Sequence, residues 1–86
     1  MEYIIAFKTT NRAIQAERCL LEQKIAVGVA PLPSQIKAGC GICLRIKPNE
    51  IEIAVRVLSD NSIEGIELYS RKKEEGKYFY SREEIK

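Results

Sequence analysis

Residues 25–47, IAVGVAPLPSQIKAGCGICLRIK, decide the fold. Two apolar runs, Ile25 to Ala30 and Ile42 to Lys47, flank a polar segment that carries Pro31, Pro33 and Gly39. β-branched runs bounded by Pro and Gly read as strands. Pro31 and Pro33 cannot serve a central ladder, so they end the first of the two. No helical segment separates the runs, so they form an antiparallel hairpin.

Outward from this hairpin the pattern changes period on both sides. Arg12 to Lys24 is rich in Ala, Leu, Gln, Glu and Arg, all good helix formers. Ala13, Ala16 and Leu20, with Ile14 and Leu21 beside them, make one apolar face at helical spacing. Thr9, Thr10 and Asn11 are suited to capping its start. After the hairpin, Pro48 and Asn49 break the strand, and Asn49 with Glu52 fits a capping box. Ile51, Ala54, Val55 and Leu58 form the stripe of a second helix, closed by Asp60-Asn61-Ser62. Tyr3 to Thr9 and Ile63 to Arg71 are strands at the two flanks. Glu74 to Lys77 reads as a turn, and Tyr78-Phe79-Tyr80 as a short additional edge strand. Lys72, Lys73, Glu74 and Glu75 read as a solvated turn. Tyr69, Tyr78 and Tyr80 alternate with polar residues and read as an edge-strand or dimer surface.

The order strand, helix, strand, strand, helix, strand is the split βαβ pattern of ferredoxin-like domains. It predicts an α+β domain over residues 1–86, with a four-stranded antiparallel sheet and both helices on one face. In that fold the loop from Pro31 to Gly39 lies at the carboxyl end of the first strand. Cys40 is then expected beside Thr9, Thr10 and the start of the first helix. A helix start favours an anion, and a thiolate placed there has a lowered pKa. Gly39 and Gly41 leave the Cys40 backbone unobstructed, so Cys40 is expected to meet solvent.

Composition limits the chemistry. The chain has 86 residues, 14 basic and 12 acidic side chains, three cysteines and no histidine. So balanced a charge predicts no nucleic-acid partner and no membrane surface. No run approaches the length of a bilayer span. The amino terminus lacks a basic region and a cleavage site. An intracellular, cytoplasmic protein is expected. Three thiols without histidine complete no usual four-ligand zinc site and supply no Cys–His pair. No metal and no cofactor are expected.

Cys40-Gly41-Ile42-Cys43 is a CxxC, but it enters a strand. Side chains three apart on a strand face opposite sides of the sheet. Cys43 therefore reads as a core thiol, with a disulfide or sulfide-relay role as the alternative. Cys19 sits at the rim of the first helix's apolar face and reads as structural. Glu17 falls within that stripe and reads as a side chain whose stem packs while its carboxylate reaches water.

Four features together resemble the selenium/sulfur carrier-like family of small bacterial proteins. They are the polar strand exit Phe7-Lys8-Thr9, the helical Ala16-Glu17-Arg18, Pro31-Leu32-Pro33, and Cys40-Gly41. The likeness covers most of the first 60 residues, and its specific part is the spacing from the prolines to the cysteine. It implies a carrier that holds a persulfide or selenosulfide on Cys40 and meets donor and acceptor proteins. In that reading Thr9, Thr10, Asn11, Pro33, Lys37, Gly39 and Gly41 would surround the cargo, and Cys43 would be a second thiol only in the alternative to its core role. The family pattern has an arginine after the second proline, where this chain has Ser34. It has a serine nearer the cysteine, where this chain has Lys37, a candidate substitute charge. The alternative function is a small-ligand-binding or regulatory module without catalysis. A homodimer is compatible with either.

Overall fold

The computed structural model describes residues 1–37 and 39–84. Ala38, inside the expected loop, lies outside the described residues. The elements are β1 (Glu2–Ala6), α1 (Thr10–Glu22), β2 (Gly28–Pro31), β3 (Ile42–Ile46), α2 (Ile51–Asp60), β4 (Glu67–Glu74) and β5 (Lys77–Glu83). The five strands form one antiparallel sheet in the order β2-β3-β1-β4-β5.

Both helices lie on one face. Ile5, Phe7, Leu44, Ile46 and Leu68 from the sheet side cluster with Ala13, Ala16 and Leu20 of α1 and Ile51, Ala54 and Leu58 of α2. Leu20 and Leu58 are fully buried. Burying a leucine of that kind contributes about 1.5–3 kcal/mol. Ile14 and Leu21, expected on the same apolar face, are about half exposed (47% and 53%). The two alanines bring α1 close to the sheet, so the buried stripe is narrow and larger flanking residues fall outside it.

Among the described residues, the other face of the sheet has no helix. Ile4, Ala6 and Cys43 are covered there by Ile36 from the segment after Pro33, with Leu32, Tyr69 and Tyr80 against them. This explains why the chain is apolar at every position from Tyr3 to Phe7: β1 is central, and this segment is covered on both sides.

Several boundaries differ from expectation. β1 ends at Ala6, which pairs Cys43 on one side and Glu67 on the other. Ile25 belongs to the core but precedes β2; its N–H closes the end of α1 on the Leu20 carbonyl at 3.0 Å. Pro31 ends β2, which is an edge strand and tolerates it. The capping box at Asn49 does not form. Pro48–Glu50 is instead a 3₁₀ turn, and Glu50 precedes α2 with no side-chain cap bond. Ile63 is buried, but β4 starts only at Glu67.

The largest difference is at the carboxyl end. The short edge strand expected at Tyr78-Phe79-Tyr80 is a seven-residue strand paired with β4 from Leu68 to Glu74. Glu75 and Gly76 both have positive φ, 50° and 78°. Two such residues make the tight turn whose twist suits a two-residue hairpin. Among the described residues, no helix is long and apolar enough to cross a membrane.

Candidate functional site

The carboxyl end of β1 gathers several of the expected residues. The Cys40 N–H donates to the Phe7 carbonyl at 3.4 Å. Gly39 lies against the Lys8 carbonyl so closely that a β-carbon would overlap it. Thr9 follows as the N-cap of α1, where its Oγ1 accepts the Arg12 N–H at 3.2 Å. Thr10 and Asn11 form the exposed first turn of the helix. The Gly39–Gly41 bend therefore sits beside the start of α1, as the hairpin required. Lys37 and Gly41 are exposed. The Gly41 carbonyl accepts the Leu32 N–H at 3.0 Å, and no atom lies within 4 Å of where a Gly41 β-carbon would point.

The Cys40 side chain does not meet solvent. The residue is 3% exposed and belongs to the core on the helix side of the sheet. Its Sγ donates to the Ile42 carbonyl at 2.9 Å. Flanking glycines leave a backbone open but do not direct a side chain. The thiol turns inward because the apolar helix face lies below it, while its own backbone stays on the rim.

Cys43 is also buried, but on the opposite face, in the cluster with Ile4, Ala6 and Ile36. The two thiols are thus separated by the sheet. Cys43 Sγ points at the Pro31 carbonyl, 3.6 Å away. Burial pushes its pKa up; Arg45 opposes this in part, and the nearby Cys40 adds to it. Cys19 is half-buried at the rim of α1 and is the most exposed of the three cysteines.

The sequence reading missed two groups. At the β1 end, Lys8 lays its aliphatic chain over Gly65, whose φ is +74°, and Arg12 Nη1 donates to the Glu64 carbonyl at 2.7 Å. The segment before β4 therefore closes the same end of the sheet. Its one sequence signal was the isolated Gly65. The second group is a cleft of about 520 Å³ on the helix-free face. Pro31 and Pro33 line one side, Tyr78 and Tyr80 the other, and Cys43 and Arg45 lie between. Arg45 and Arg71 share the Glu2 carboxylate, and Arg71 also stacks on Tyr78 at 4.5 Å. Pro33 thus faces Cys43 and not Cys40. Alternation along Cys43-Leu44-Arg45 was the signal that could have placed Arg45 there.

A family model described as "Putative Se/S carrier protein-like" matches residues 2–70. The chain belongs to that Se/S carrier-like family. No curated protein and no solved structure matches significantly. The match takes in both helices and the whole segment from Pro31 to Cys43. It ends inside β4, so the rest of β4 and all of β5 lie outside the matched residues.

Proposed function

We propose that this chain holds a sulfur or selenium atom on Cys40 and passes it to a partner protein. Membership in the Se/S carrier-like family supports the cargo. The observation that carries the choice of thiol is the Gly39-Cys40-Gly41 bend. It lies at the rim of the sheet, tied to Phe7, just past the end of β1, by the Cys40 N–H and to the proline segment by the Gly41 carbonyl. A rim segment of this kind is a unit that can open locally without unfolding of the whole domain. Opening brings Sγ out, and closing returns it to the core. Burial of the loaded thiol then protects a persulfide from stray oxidants and thiols.

The exchange is redox-neutral. The Cys40 thiolate attacks the outer sulfur of a donor persulfide, R–S–SH. The donor S–S bond breaks, its electron pair leaves on R–S⁻, and the new S–S bond forms at Cys40. Delivery repeats the step, with an acceptor thiolate attacking the outer sulfur. A selenosulfide donor, R–S–SeH, follows the same balance. The first four strands, ordered β2-β3-β1-β4 with both helices on one face, support a ferredoxin-like core for this carrier, with β5 added to it. Intact mass of wild type and Cys40→Ser after exposure to a persulfide donor tests the proposal. Loading of wild type alone supports it; equal loading of both proteins rejects it.

A second reading rests on the helix-free face. Its cleft, with paired guanidiniums and tyrosines over an apolar floor, suits a small anion with a flat apolar part. Resonances of Arg45 and Arg71 that move on titration with thiosulfate or an aromatic carboxylate would favour it.

A further inference from the structure

β5, which lies beyond the family match, ends the sheet in a long open edge. Among the described residues β5 pairs only with β4, so one row of its N–H and C=O groups faces outward over Lys77–Glu83. Such an edge is a template for another strand. The opposite edge, β2, has four residues and ends in Pro31, which has no N–H to offer. Two of the exposed large apolar side chains, Tyr78 (43%) and Phe79 (53%), lie on this strand.

We propose that β5 pairs with β5 of a second copy of this chain, antiparallel and centred on Tyr80, joining two sheets into one of ten strands. The sequence of β5 is self-complementary in that register. Lys77 stands opposite the partner's Glu83, and Glu83 opposite the partner's Lys77. Tyr78 stands opposite the partner's Arg82, and Phe79 opposite the partner's Ser81. The two Tyr80 residues meet on the axis. Each opposed pair shares a face, because side chains two apart on a strand point the same way. Opposite charges directly across a ladder stabilise it, and so does a guanidinium over a tyrosine ring. Arg82 already lies 5.6 Å from the Tyr69 ring, so the partner's Tyr78 would extend an existing stack. No like charges are opposed. A twofold axis closes the assembly at two copies, since each chain spends its one long edge.

The interface is small, so the dimer is weak and its population depends on concentration. Sedimentation equilibrium of the full chain, from about 10 μM to about 1 mM, reads it. Wild type is expected to show a monomer–dimer equilibrium. Lys77→Glu and Glu83→Lys each oppose like charges twice per dimer and should weaken it about tenfold. The double variant K77E/E83K restores both pairs and should return to within about threefold of wild type. Thermal melts confirm that each variant is folded. Monomer at every concentration overturns the proposal. So does a dimer that the single reversals leave unchanged, which would place the contact elsewhere, for example on Ile14 and Leu21 of α1. Failure of the double variant to recover also overturns it. None of these outcomes bears on sulfur loading at Cys40.

Discussion

Gly39 and Gly41 flank the same cysteine, yet their substitution should have very different effects. A β-carbon on Gly39 would overlap the Lys8 carbonyl oxygen and sit 3.1 Å from its carbon. Both obstacles are backbone of the chain leaving β1, and neither can rotate away. Gly39→Ala must push the bend outward, which strains or breaks the bond from the Cys40 N–H to the Phe7 carbonyl. Overpacking of this kind and a buried donor left unpaired each cost on the order of 1–3 kcal/mol. With partial relaxation the net loss should be about 2 kcal/mol. For a chain of this size that lowers Tm by about 8–16 °C. Gly41→Ala meets nothing within 4 Å, and Gly41 is not among the positive-φ glycines. Its effect should stay within about 0.5 kcal/mol. Calorimetry gives the stabilities. Iodoacetamide labelling with peptide mapping gives the second readout, because displacing the bend should speed alkylation of Cys40 in Gly39→Ala only. Equal stabilities for the two variants would falsify the close packing of Gly39 on the Lys8 backbone and the placement of Cys40 that depends on it.

Three further outcomes follow from the same geometry. In the wild-type protein iodoacetamide should modify half-buried Cys19 first, with Cys40 and Cys43 slower because each must wait for local opening; peptide mapping over time reads the order, and Cys43 labelled first would contradict the burial described. Thr9→Ala removes the acceptor for the Arg12 N–H and should destabilise the fold by about 1 kcal/mol in urea titrations, whereas Thr9→Ser should restore most of it. Burial raises the Cys43 pKa above its ordinary 9.0, and burial with a hydrogen bond to Glu67 raises that of Tyr69 above 10.0. The unfolded chain then loses protons at lower pH than the native one. The stability these groups give is full below about pH 9 and falls as pH rises through the native values. Cys43→Ala should flatten that alkaline decline in Tm, and an unchanged slope would show that the thiol is not desolvated.

The hairpin, the two helices and the position of the Cys40 backbone could be read from local signals. Pro31 and Pro33, the alanine-rich stripe of α1 and the cap at Thr9 each act within a few residues. The direction of the Cys40 side chain could not, because it depends on what lies beneath the bend after the helices dock. The strand alternation that put Cys43 on the opposite face needed only the two-residue period of a strand. The helix-free face was harder to foresee. Cys43, Arg45, Arg71 and Tyr78 come from three strands, and their meeting depends on sheet order and on the full length of β5. Glu75-Gly76 was visible as a turn, but the long polar strand after it lacks the apolar alternation that marks a half-buried strand. It forms because β4 offers a continuous ladder from Leu68 to Glu74.

The central claim is that one thiol, on Cys40, carries the cargo. Its most direct test is the location of the added atom. Wild type is treated with a limiting persulfide donor, blocked and digested, and fragment ions assign the extra sulfur among Cys19, Cys40 and Cys43. The account predicts the added mass on Cys40, retained in Cys43→Ala and absent in Cys40→Ser. Added sulfur on Cys43 or Cys19 with Cys40 unmodified would contradict it.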